Sequence, residues 1–458
     1  MLFNSYVFLF VFLPVAYLVF WALRTTHQRH IWLVITGYAF YAYWDARFCI
    51  LLAFSTLVSF LAGLAFLRWG KRKTILVIPI TTDLLLLGFF KYAGFAARTV
   101  NEAAGLAHAG PLLPVLDIVL PVGISFYTFH TISYIVDSYR GVITPTRSLF
   151  EFSAYVSLFS QLVAGPIVRF RQIESDLENL ATADRLYGLY RGLSFFIFGL
   201  VEKVLVADSL ARFVDPWLSN WDSLSRAAAW LSMLGYSMQL YFDFSGYSSM
   251  AVGLGLMFGL NIPQNFNSPY RSQNPSEFWR RWHISLSTCI RDYLFIPLGG
   301  SRGSKWFAAR NILIAMFLGG LWYGANIIFI VWGLYWGVLL VTYRLIGDYW
   351  DKFPLRGPLT FLLAVIGWVV FRATDLGMAW GMLAKMSFGA SGGMPRDWVL
   401  FLAFTGVASL WAIWGPNAFE FHKDRPALMP GPALGVILGV VLAIIAGTRA
   451  SPFLYFQF

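Results

Sequence analysis

Of the six histidines in this 458-residue chain, His283 has the neighbours that proton-transfer chemistry requires. It lies in residues 265–303, NFNSPYRSQNPSEFWRRWHISLSTCIRDYLFIPLGGSRG, with Arg280 three residues before it and Ser287 four residues after it. On a helix that spacing puts all three on one face. An imidazole with an ordinary pKa of about 6.5 takes or gives a proton near neutral pH. Guanidinium groups such as Arg280 and Arg291 match phosphate oxygens. Phe278, Trp282, Leu286 and Tyr293 recur at helical spacing and form an apolar stripe on a different face. The segment also carries a helix-entry signal. Asn274 can cap, Pro275 fits the first helical position, and Glu277 follows three residues after the cap. Glu277 is spaced to pair with Arg281 one turn on, and Pro297 with Gly299 and Gly300 ends the helix.

Other ionisable residues interrupt apolar runs. Asp137 ends one, Glu202 and Lys203 sit side by side in LVEKVLVAD and can pair internally, and Asp243 divides YFDFSGYSSM. Asp243 reads either as a helix cap at a short external turn or as a group facing a cavity or a partner. His130 lies in a strongly apolar context, and Gln161 followed by Gly165 and Pro166 marks a kink or a span end. No metal site is expected, because the remaining histidines lack partners at ligand spacing and Cys49 and Cys289 stand far apart.

The elements that must position these groups are set by composition. Apolar residues make up 58% of the chain and charged ones 12%, about half the charge of a soluble domain. That excludes a disulfide-stapled secreted scaffold, a disordered tail and an ordinary cytosolic enzyme. A polytopic all-α membrane protein is what this composition supports. A spanning helix needs about 20 mostly apolar residues. Runs at 4–23, 31–44, 48–67, 74–90, 118–136, 152–168, 192–206, 227–242, 244–262, 357–371, 398–415 and 433–448 come close to or meet that length. Residues 311–343 are long enough for two helices, with breaks at Gly319, Gly320 or Gly324. The total is eleven to fourteen membrane-embedded helices in one domain, 1–458. The first run lacks a basic leader and a small-residue cleavage site, so it reads as a retained helix.

The net charge is +11, from 34 Lys and Arg against 23 Asp and Glu. The basic residues fall in short loops between apolar spans, which excludes a nucleic-acid reading and fits loops beside anionic lipid. Arg24, Arg29 and the run Lys71-Arg72-Lys73 flank the early spans on one side, while the intervening turn holds only Asp45 and Arg47. The positive-inside rule then places the N-terminus outside the cytoplasm. In this setting residues 265–303 form either an interfacial helix whose arginines meet lipid phosphates, or a helix that dips into a polar cavity and presents His283 to a substrate.

Four stretches resemble the membrane-bound O-acyltransferase family: LPVGISFYTFHTISYIVDSYRG at 120–141, FSQLVAGPI at 159–167, YFDFSGYSSMAVGLGLMFGL at 241–260, and the block at 265–303. The similarity is greatest to its bacterial branch of alginate O-acetylation membrane subunits, extends to the D-alanyl transfer proteins of teichoic acid synthesis, and runs from FNSYVFLFVFLPV to the closing SPFLYFQF. The resemblance implies a ring of tilted helices around a central funnel. It implies an acyl group, here acetyl, taken from a cytoplasmic thioester such as acetyl-CoA. The group then passes across the membrane to an extracytoplasmic polysaccharide through a partner acetyltransferase, with no resident cofactor. The family assigns transfer to a histidine in a GLWHGA motif, assisted by the histidine of RRWH. His283 matches the second position.

At the first position the chain departs from the family. Residues 320–325 read GLWYGA, so Tyr323 stands where the principal histidine is expected, with Trp322 beside it; Trp336 also occupies a position that is often histidine. Tyrosine, with an ordinary pKa of about 10, is a poor general base but a competent hydrogen-bond donor to a developing oxyanion. Two readings follow. In one, His283 is the base, Tyr323 polarises the acyl carbonyl, and Arg280 or Arg291 steers a phosphate-bearing donor, with Asp243, Ser287 and Trp322 on the cavity wall. In the other, the chain is a non-catalytic relative that serves as an acyl conduit or scaffold. An ordinary secondary transporter is disfavoured, since inverted repeats with paired broken helices are not seen.

Overall fold

Short polar side chains ahead of apolar runs start several of the helices. Thr25 Oγ1 accepts the Gln28 N–H while Gln28 Oε1 accepts the Thr25 N–H, a reciprocal cap on the helix Thr26–Asp45. Ser148, Asn274, Ser304, Asn326 and Asp375 cap later helices one way only, each side-chain oxygen accepting a first-turn N–H. The computed structural model describes residues 1–106, 108, 110–389, 392–423, 431–447 and 453–454. Among these the secondary structure is helical, with one isolated bridge between Leu224 and Gly393 and no strand. Of the closing SPFLYFQF only Phe453 and Leu454 are described, and Thr448, the expected end of the last span, lies outside the described residues.

The chain divides into two compact units. The first comprises Met1–Leu189 and Leu254–Pro263. It contains α1 (Leu13–Ala22), α2 (Thr26–Asp45), α3 (Cys49–Trp69), α4 (Lys73–Leu87), α5 (Ala93–Leu106), α6 (Ile124–Arg140), α7 (Leu149–Val156) and α8 (Phe170–Glu178). Three of these helices meet at one buried carboxylate. Asp83 of α4 accepts the hydroxyls of Ser55 on α3 and Thr131 on α6, both at 2.7 Å. The run at 152–168 does not form a spanning helix. The helix stops at Val156, the Gln161 side chain donates to the Tyr155 carbonyl at 2.7 Å, and residues 157–169 continue as buried irregular chain. Ser157, Gln161, Gly165 and Pro166 offer local bonds and bends that compete with the helix. His130 of α6 is fully buried, and its ring nitrogens make no hydrogen bond among the described residues.

The second unit comprises Tyr190–Gly253 and Gln264–Phe458. Its elements are most of α9 (Arg185–Leu200), α10 (Asp208–Ser219), most of α11 (Arg226–Met257), α12 (Pro275–Arg281), α13 (Ile284–Ile290), α14 (Lys305–Tyr323), α15 (Ile327–Lys352), α16 (Arg356–Arg372), α17 (Leu376–Phe388), α18 (Trp398–Trp414), α19 (Ala418–Lys423) and α20 (Gly431–Gly447). The two spans expected at 227–242 and 244–262 are one continuous helix, α11. Asp243 is therefore in mid-helix and not at an external turn. Its carboxylate is satisfied there by Lys203 Nζ at 2.5 Å and by the Leu454 N–H at 2.9 Å. Lys203 also pairs with Asp208 at 2.7 Å. Glu202 does not pair with Lys203; its oxygens accept the hydroxyls of Ser245 and Ser249, each at 3.0 Å. Adjacent residues on a helical backbone point in different directions, so neighbours in sequence find different partners.

Close approach fixes how α9 meets α11. A Cβ at Gly246 would sit 2.7 Å from the Gly199 carbonyl oxygen, and one at Gly253 would sit 2.5 Å from that of Gly192. Small residues at such crossings allow helices in apolar surroundings to pack backbone to backbone. Three stretches, Thr26–Trp69, Lys73–Leu106 and Ile327–Lys352, are long and apolar enough to cross a membrane. Large apolar side chains such as Ile50, Leu85, Trp380 and Val436 are exposed along the helices, as a lipid-facing surface requires. The fold is that of an all-α polytopic membrane protein.

Two stability predictions follow from this unit. Gly246→Ile should cost about 1–3 kcal/mol through overpacking. Gly439→Ile, where nothing lies within 4 Å, should leave the melting temperature in detergent unchanged. Lys203→Met should destabilise by about 3–5 kcal/mol by leaving buried carboxylates unpaired, and adding Asp243→Asn should restore part of that loss. Thermal denaturation of the purified variants measures both.

Candidate active site

The polar segment begins as its sequence predicts. Asn274 Oδ1 accepts the Glu277 N–H at 2.8 Å, Pro275 occupies the first helical position, and Glu277 bonds Arg281 Nε at 2.8 Å. The expected single amphipathic helix, however, breaks in the middle. Helix α12 ends at Arg281, Trp282 is extended, and His283 takes a left-handed conformation with φ 44° and ψ 55° before α13 starts. A left-handed non-glycine residue costs about 1–2 kcal/mol. The break persists because the chain at 265–267 bonds to both sides of it. The Asn265 carbonyl accepts the Ile284 N–H at 2.9 Å, and Asn265 Oδ1 accepts the Ser285 N–H at 3.1 Å and its hydroxyl at 2.9 Å. The Asn267 N–H donates to the Arg281 carbonyl at 2.9 Å.

The break turns the imidazole of His283 inward, where it is wholly buried. Its Nδ1 lies 2.9 Å from the Tyr323 hydroxyl. Tyr323 is the last residue of α14, placed there by the break at Gly324 and the Asn326 cap that opens α15. Phe244 meets the imidazole edge-on at 4.7 Å between ring centres, Trp322 stands at 5.8 Å, and Trp332 packs edge-on against Tyr323 at 4.9 Å. The result is a histidine–tyrosine pair with aromatic walls. In such a pair one ring nitrogen is committed to the phenol, and the hydrogen bond there decides which state the other nitrogen takes.

Three of the sequence-derived residues thus come together: His283, Tyr323 and Trp322. The others do not share this spot. With the helix broken, Arg280 and Ser287 leave the face predicted for His283. Arg280 is exposed and donates to Ser276 Oγ at 3.1 Å, and half-buried Ser287 donates to the Trp282 carbonyl at 3.2 Å. Arg291 is exposed and paired with Asp292 at 2.7 Å. Asp243 belongs to the Lys203 cluster. Trp336 stacks on Phe278 at 4.6 Å, as part of the indole-rich packing behind the pair. Among the described residues no three His, Cys, Asp or Glu side chains converge to hold a metal ion.

Sequence reasoning missed Asn265. Asparagine ahead of a predicted helix reads as a loop residue, and its bonds reach 19 and 20 positions along the chain, beyond any periodic signal. It also missed that Ser245, Ser248 and Ser249 present hydroxyls from one side of α11. A cavity of about 10 Å³ lies among these serines, Asn265 and Asn417. That is room for about one water and far too little for an acyl group, so it is not the substrate's place.

Comparison with known proteins places this geometry in a family. The profile of the membrane-bound O-acyltransferase family matches residues 144–372, which contain His283 and Tyr323. The chain is 44% identical over 512 aligned positions to the "probable alginate O-acetylase AlgI" of Azotobacter vinelandii, covering 100% of both chains. It is 45% identical to the protein of the same name from Pseudomonas aeruginosa, over 85% of this chain and 75% of that one. It is 35% identical to the peptidoglycan O-acetyltransferase of Helicobacter pylori, over 84% of this chain and 80% of that one. On these matches the chain belongs to the membrane-bound O-acyltransferase family and is an acyltransferase.

Proposed function

We propose that the protein transfers an acetyl group from a cytoplasmic thioester, acetyl-CoA or a similar donor, towards an extracytoplasmic polysaccharide of the alginate type. The relatives' names support the acetyl cargo and the polysaccharide acceptor. A partner acetyltransferase outside the membrane completes delivery, and the N-terminus of this inner-membrane protein faces the same side. The single observation that carries the reading is the buried 2.9 Å contact between His283 Nδ1 and the Tyr323 hydroxyl.

In this reading Nδ1–H donates to the Tyr323 oxygen, which leaves the Nε2 lone pair as the base. Nε2 takes the proton of the acceptor hydroxyl as its oxygen attacks the thioester carbonyl carbon. The Tyr323 oxygen accepts from Nδ1, and its O–H donates to the developing oxyanion. The C–S bond then breaks, and the imidazolium returns its proton to the leaving thiolate. A buried aromatic site excludes the water that would hydrolyse the thioester. Arg291 is already paired with Asp292, so steering of a donor phosphate falls to exposed Arg280.

A tyrosine at the place of the family's histidine favours a second reading, a non-catalytic conduit or scaffold. Transfer of labelled acetyl from acetyl-CoA in proteoliposomes separates the two. The first reading predicts that His283→Ala lowers the rate by about 10²–10⁴ and Tyr323→Phe by about 10². An inactive parent that gains activity with Tyr323→His would establish the second reading instead.

A further inference from the structure

A helix normally draws its N-terminal cap from the residue at its start. At α13 that residue is His283, and its side chain makes no capping bond. The cap comes instead from Asn265, whose carbonyl takes the Ile284 N–H and whose Oδ1 takes the Ser285 N–H and hydroxyl. These are the two residues that immediately follow the histidine. Asn265 is itself buried and is held from its other end, where Nδ2 donates to Ser248 Oγ at 3.2 Å. Ser248 sits within α11, a helix anchored one turn earlier by the bonds of Ser245 to Glu202 and of Asp243 to Lys203.

We infer that Asn265 is a positioning residue for the acyl-transfer step: by capping α13 from outside, it holds the left-handed turn that commits the His283 imidazole to Tyr323. This rests on the acyl-transfer reading given above. An ordinary loop would cap α13 with the residue at 283 itself, and that residue could not then also reach Tyr323. Asn265 takes over the capping and fixes the turn from both of its side-chain ends. Its loss leaves the donor and acceptor sites intact and displaces only the imidazole. The effect therefore falls on turnover and not on substrate binding.

The test uses the full chain in proteoliposomes, with labelled acetyl-CoA as donor, and compares the parent, His283→Ala, Asn265→Ala and Asn265→Asp. Asn265→Ala should lower kcat by about 10- to 100-fold with KM for the donor unchanged, since a displacement of about 1 Å at a reacting group has costs of that order. Asn265→Asp keeps the Oδ1 acceptor and should recover most of kcat. If Asn265→Ala fails to fold, Asn265→Gln takes its place, because one added methylene shifts the same groups and should give a similar kcat loss. A normal kcat in Asn265→Ala or Asn265→Gln, alongside an inactive His283→Ala, would overturn the inference and leave the acyl-transfer reading standing. Equal loss of kcat in Asn265→Ala and Asn265→Asp, or a loss confined to KM, would also overturn it. A parent no more active than His283→Ala would overturn the acyl-transfer reading and this inference with it.

Discussion

When a helix breaks inside a membrane protein, its exposed backbone N–H groups have no bulk water to turn to and must find partners within the chain. At His283 that requirement is met by a single asparagine from an extended stretch upstream, which satisfies the two N–H groups after the break. Much of the site depends on this arrangement. Without the left-handed turn, α12 and α13 would run as one amphipathic helix. His283 would then lie on the same surface as Arg280, which is exposed. With it, the imidazole is withdrawn from that surface and placed against the end of α14.

The supports behind the turn are polar groups buried among helices, each matched to its partners. Lys203 lies between Asp208 and Asp243, and the Leu454 N–H adds a further bond to Asp243. Glu202 is satisfied by two serine hydroxyls one turn apart on α11. Buried ionisable groups are costly alone, and partner loss is costlier than the pair is stabilising. Such groups therefore specify one register between helices rather than adding much net stability. The glycine crossing of α9 with α11 fixes the same register by contact. Ser248, the support for Asn265, lies on that fixed helix. Register, serine, asparagine and histidine form one mechanical sequence.

Much of this was legible in the residues. Composition and apolar run length gave an all-helical membrane protein, and Asn274, Pro275 and Glu277 opened α12 as their types require. The break between α14 and α15 came at Gly324, one of the three glycines singled out for it. The family resemblance singled out His283 and Tyr323, which the fold brings together from 40 positions apart. The break at His283 was hidden, because the stripe of Phe278, Trp282 and Leu286 reads as unbroken periodicity and only a distant asparagine interrupts it. The span boundary expected at Asp243 was misplaced for a related reason. A carboxylate in an apolar run looks like a boundary unless its lysine, 40 positions earlier, is known to reach it. Long-range polar pairing leaves little trace in local pattern.

The account turns on the imidazole being held by Tyr323 at Nδ1 so that Nε2 carries the lone pair. Selective ¹⁵N labelling of histidine in the detergent-solubilised protein, with the His283 signal assigned by its loss in His283→Ala, reads the tautomer directly. The predicted spectrum has a protonated Nδ1 and an unprotonated Nε2, and Tyr323→Phe shifts both resonances. A proton resident on Nε2, with resonances indifferent to Tyr323→Phe, would contradict the account.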